Sequence, residues 1–114
     1  MAIDNYVIRI YDEVGGDSAI SVDDGDALYK KIDNALVQNI TVVLDFQNIN
    51  LIITAFLNAA IGQLYSKYNS DQLNEKLKLE NVKSEDVHLF KKVIERAKEY
   101  FANPDEFENN VTEP

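Results

Sequence analysis

The sequence predicts a small α/β domain with a mainly parallel sheet. Three observations carry that expectation. Residues 40–46, ITVVLDF, are nearly continuous in apolar and β-branched side chains, which suits a strand buried inside a sheet. Helical spacing stands on both sides of that run, at Leu28, Ile32, Ala35 and Leu36 and at Leu57, Ala60, Ile61, Leu64 and Tyr68. Strand alternating with helix is the pattern of parallel strands joined by crossovers.

The first element is residues 6–11, YVIRIY, a β-branched and aromatic strand. Gly15-Gly16-Asp17-Ser18 signals a turn, and residues 19–22 then return as a short strand in a hairpin. A helix opens at Asp23 or Asp24, whose charge suits the positive end of the helix dipole. An alternative start uses Ser21 as cap with Asp24 three residues on. Gly25 in the first turn disfavours either start.

The strand 40–46 follows, and it is expected to be central with both faces covered. Residues 47–50, QNIN, are polar and irregular, and 51–53 have no decisive period. A helix is expected over 54–68, with Phe56 and Ala59 beside its apolar stripe and Asn69-Ser70-Asp71 closing it. Residues 76–82, KLKLENV, alternate as a half-exposed edge strand does. Ser84, followed by Glu85 and Asp86, is expected to cap a last helix through Val87, Phe90, Val93, Ile94, Ala97 and Phe101. The order is β(β)αβαβα, with three helices and four strands, or three strands if the second does not form. The domain spans 1–101. Residues 102–114 hold four acids, no bases and two prolines and read as an acidic, disordered tail.

The 114 residues suit one domain with one modest core. Twenty acidic against eleven basic residues give a net charge of −9, which sets aside nucleic acid as a partner because phosphate binding needs clustered cations. No apolar run approaches the roughly 18 residues of a membrane span. The start, MAIDNYVIRIYDE, lacks the basic and apolar regions of a signal peptide, so the expected location is cytoplasmic. The edge at 76–82 permits strand pairing, but three lysines within 76–83 oppose it, and the expectation is a monomer or weak dimer.

Residue chemistry points away from catalysis. There is no cysteine and one histidine, which leaves neither thiolate chemistry nor a zinc site. His88 follows Val87 on the polar side of the last helix, with no Ser, Cys or carboxylate partner at a recognisable spacing. VDDGDA, 22–27, fails as a calcium loop, because Gly25 at the sixth position puts Ile20 at the first ligand. Asp45, at the end of the buried strand, has two readings. It either pins the 47–50 loop by accepting backbone hydrogen bonds, or it forms a phosphoryl or metal site with Asp12 and Glu13. Thr54 likewise reads as a helix cap or as a candidate phosphorylation site.

The stretch VVLDF-QNIN-LII-TAFLNAAIGQLY resembles the STAS domains of anti-sigma-factor antagonists. More closely it resembles the STAS-like family of bacterial proteins DUF4325, over about residues 6–101 and most specifically over 42–62. SAISVDDGDALYKKI and KLKLENV also fit that family, although the arginine often found in the first of these segments is absent. The resemblance implies a small α/β domain that acts by docking. In the antagonists, the loop and the helix start bind an anti-sigma factor that is also an ATP-using kinase and phosphorylates a serine in a D-S-S-G-L step. Laid on that step, Ile53 stands at the Asp, Thr54 at the first Ser, Ala55 at the acceptor and Phe56 at the Gly, with Leu57 kept.

The resulting expectation is a non-enzymatic regulatory module with no cofactor. It would dock a protein such as a histidine-kinase-type ATPase or an anti-sigma factor through Gln47, Asn48, Asn50, Thr54, Ala55 and Asn58. The alternative is a nucleotide- or phosphate-binding sensor using the start of the second helix. A helix N-terminus attracts anions, but no basic residue lies between Lys31 and Lys67.

Overall fold

The structure is a computed structural model that describes residues 5–102. Strand β1 (Asn5–Arg9) leads into a short helix α1 (Ile10–Val14), then β2 (Ser18–Ala19) and α2 (Val22–Val37). Next come β3 (Thr41–Asp45), β4 (Leu51–Ile52) and α3 (Thr54–Ala60). The chain continues through α4 (Ser70–Lys76) and β5 (Leu77–Glu80) to α5 (Val87–Ala102). Short 3₁₀ segments at Gly62–Ser66 and Ser84–Asp86 precede α4 and α5.

The main sheet has the order β1-β3-β5 and is parallel throughout, with β3 in the centre and β5 at an edge as expected. The second sheet is separate and pairs β2 with β4 in parallel. The expected hairpin therefore does not form. Ile10 is fully buried and begins α1 instead of extending the first strand, and Gly15 closes that helix at φ 76°, in the left-handed region glycine tolerates. The chain reaches β2 from this new direction, and Ile53 N–H donates to the Ala19 carbonyl at 3.1 Å.

Register explains the burial. Ile8, Leu44 and Leu79 lie in one row, and Tyr6, Val42 and Leu77 in the next row of the same face. Ile8, Val42 and Leu44 belong to the core cluster with Leu28, Ile32, Phe56, Leu57, Leu64 and Phe90. The opposite face carries Val7, Val43 and Lys78 in one row and contributes nothing to that cluster. Val43 is buried, yet its neighbour Val7 is 54% exposed. The expectation of two covered faces thus holds for the burial of β3 but not for the core, which is built on one face.

Helix α2 starts from the Ser21 cap. Its side chain accepts from the Asp24 N–H at 3.2 Å, so the alternative start is the one formed. The helix ends in a Schellman arrangement, with Ile40 N–H to the Ala35 carbonyl, Asn39 N–H to that of Leu36, and Asn39 at φ 61°.

The single helix expected over 54–68 is divided. α3 ends at Ala60, and the Gln63 amide takes the freed Ala59 carbonyl at 2.8 Å while also holding Asp26. The apolar stripe survives the break, since Ile61 and Leu64 remain buried. Asn69 does not close a helix. It opens α4 through a reciprocal capping box with Gln72, at 2.8 and 2.9 Å. Ser84 falls in the 3₁₀ segment, so the expected cap of the last helix is displaced and α5 begins at Val87. Phe90, Val93 and Ala97 of α5 are buried, and the Phe90 ring meets that of Phe46 edge-on at 5.0 Å. Val87 and Phe101 are exposed instead of joining that face. Apart from Ala102, the expected tail lies outside the described residues.

Candidate functional site

The candidate site begins where β3 ends. Phe46 and Ile49 of the following loop are buried, so Gln47, Asn48 and Asn50 are left facing solvent. Asn48 takes φ 67°, a left-handed conformation that asparagine reaches at low cost. Asp45 Oδ1 accepts from the Gln47 N–H at 2.9 Å and from the Asn81 side-chain amide at 2.8 Å. The Asn81 bond, followed by that of Gln47, holds its carboxyl below the usual carboxylate range, and Arg9 adds to the effect. Asp45 therefore ties the loop to the turn after β5.

The far end of the loop is fixed as well. Asn50 donates its backbone N–H to the Asp17 carbonyl at 2.8 Å and its side-chain amide to the Asp17 carboxylate at 3.0 Å. Lys83 Nζ donates to Asn50 Oδ1 at 2.7 Å. Asp17, Asn81 and Lys83 were not identified from the sequence, because their partners lie about thirty residues away along the chain.

Asp45, Gln47 and Asn48 share a cleft of about 100 Å³ with Arg9, Tyr11 and Asp12. Small-molecule sites usually enclose roughly 300–1,000 Å³, so this cleft is small for a substrate. Asp12 and Asp45 do come together there, but Glu13 is drawn instead into an ion pair with Lys31 of α2. Among the described residues, no three His, Cys, Asp or Glu side chains are grouped to hold a metal ion. His88 is exposed.

Thr54, Ala55 and Asn58 do not line that cleft. They lie exposed on α3, beside the fully buried Phe56 and Leu57. Thr54 is the first helical residue and Ile53 holds the cap position without a side-chain bond, so the capping reading of Thr54 is corrected. Phe56, which stands at a glycine of the antagonist pattern, points into the core.

Parallel sheets of three and two strands with several helices define a small α/β domain. A family model described as a STAS-like domain of unknown function, DUF4325, matches residues 24–87, more than half of the chain. The chain belongs to that family. The match runs from the first turn of α2 to the first residue of α5. No curated protein and no solved structure matches the chain. No helix among the described residues is long and apolar enough to cross a membrane.

Proposed function

We propose that the chain is a non-enzymatic regulatory module that docks a partner protein, of the histidine-kinase-type ATPase or anti-sigma-factor class. The loop residues Gln47, Asn48 and Asn50 and the helix residues Thr54, Ala55 and Asn58 would meet the partner. One observation carries this reading: the junction is held rigid from behind yet left uncovered in front. Phe46, Ile49, Ile52, Phe56 and Leu57 anchor it in the core, while all six proposed contact residues are exposed. A pre-organised backbone lowers the entropic cost of association. At this junction, the small size of the cleft beside Asp45 favours a protein contact over a small-molecule ligand.

Affinity capture from the native host tests the reading, with the wild-type chain and Asn58→Lys compared under the same conditions. Asn58 is exposed, so the variant is expected to fold. Capture of a specific protein by the wild type and its loss in the variant is the expected result. Equal capture by both counts against the proposed surface.

A further inference from the structure

Four exposed apolar side chains outside the proposed contact set gather around the small β2–β4 sheet. Ser18 pairs with Leu51 and Ala19 with Ile52, and Ile53 bonds back to the Ala19 carbonyl. Ala19 and Ile52 turn into the core, and strand alternation leaves Leu51 and Ile53 on the outer side. Ile20 follows β2, next to the Ala19 carbonyl that accepts from Ile53, and Val22 opens α2 two residues later. Their exposures are 48% for Ile20, 49% for Val22, 51% for Leu51 and 36% for Ile53. A single exposed aliphatic residue needs no explanation, but four at and just beyond the ends of one short strand pair mark an interaction surface.

The rim of this strip is acidic. The Asp17 carbonyl accepts the Leu51 N–H, and Asp23 and Asp24 follow Val22 in the first turn of α2. Lys83 donates to Asn50 and its charge offsets that of Asp17, so the acidic side of the rim is Asp23 and Asp24. A second copy seated on this strip would bring like-charged rims together on chains of net charge −9. A partner with basic residues flanking an apolar stripe gains on both counts.

We infer that the Ile20–Val22–Leu51–Ile53 strip receives an amphipathic helix of the partner, apolar on one side and edged by Lys or Arg. This rests on the docking reading above and adds the chemistry of what docks.

The test is a titration of the isotope-labelled full chain with two synthetic helical peptides that share a leucine stripe. One carries lysine and the other glutamate on the polar face. The lysine peptide is expected to bind saturably and to shift amide resonances in 18–24 and 50–55, more weakly as salt is added. Leu51→Ser with Ile53→Ser is expected to raise its Kd by about tenfold or more. Asp23→Lys with Asp24→Lys is expected to move the preference toward the glutamate peptide, which decides the matter if the first variant is poorly folded. No saturable binding of the lysine peptide, equal binding of both peptides, or shifts centred elsewhere overturns the inference. A captured partner that is lost in Asn58→Lys but kept by Leu51→Ser with Ile53→Ser overturns this inference alone. A partner kept by all variants overturns the docking surface itself.

Discussion

Gly25 of α2 lies directly against Ala59 of α3: a Cβ at position 25 would stand 2.8 Å from the Ala59 Cβ and 2.8 Å from the Phe56 carbonyl oxygen. Backbone and side chain are both in the way, so no rotamer change relieves the clash. The two helices approach this closely because one has no side chain at the contact. Gly25→Ala should therefore destabilise the domain by about 1–3 kcal/mol, even though alanine is the better helix former by about 1 kcal/mol. Urea denaturation measures it, and a variant at least as stable as the wild type would contradict the packing described.

Asp45 bridges two loops through a single carboxylate oxygen. Asp45→Ala should cost about 1–2 kcal/mol, since two polar partners lose an acceptor. Asp45→Asn should cost less, because its amide oxygen still accepts. Hydrogen exchange at the Gln47 amide should speed up most in the alanine variant. Unchanged exchange there would mean that the loop is held by other contacts.

Acid should weaken the fold through the carboxylates whose pKa the fold lowers, Asp33 and Asp45 among them. Asp33 accepts from the Tyr68 hydroxyl at 2.6 Å and forms an ion pair with Lys67, and these partners, the tyrosine first, hold its pKa down. Tyr68 responds in the opposite direction, raised well above the usual tyrosine range by burial and by the Asp33 bond. With the folded pKa lowered at both Asp33 and Asp45, their contribution is present above the unfolded value of about 3.9. It is lost as the pH falls through the lower folded values. Asp33→Asn should be less stable than the wild type at neutral pH and decline less steeply in acid, which denaturation midpoints across a pH series would show.

Nucleotides should leave the melting temperature unchanged. α3 is only two turns long, and the cations near the junction are already engaged, Arg9 beside Asp12 and Asp45 and Lys83 on Asn50. A thermal-shift panel of nucleotides with and without Mg²⁺ checks this. A concentration-dependent rise would favour the sensor alternative.

The parts of this fold that were legible in the sequence are those decided by local chemistry. Ser21 and Asp24 offer a cap within four residues, as the alternative to a start at Asp23 or Asp24, and the apolar run 42–44 announces a central strand. The family was legible from the junction, where VVLDF meets the polar loop and the apolar helix. Other features depend on contacts distant in sequence. Gly25 looked like a defect in its helix until Ala59 and the Phe56 carbonyl were seen above it. β2 looked like half of a hairpin because its partner, β4, is too short to show a period. Asn69 has the chemistry of both a stop and a start, and only the Gln72 bond makes it a start. At the site, the sequence offers Asp45 as a loop anchor or a phosphoryl or metal site, while its partner Asn81 and the nearby Lys83 leave no local signal. Side chains that meet across two loops leave no spacing in the sequence to read.

The most direct test of the docking account is hydrogen exchange of the full chain, alone and saturated with the captured partner. Protection should concentrate in 47–58, spanning Gln47, Asn48, Asn50, Thr54, Ala55 and Asn58. Protection confined to the β5 edge or to α5, with 47–58 exchanging as in the free chain, would contradict it.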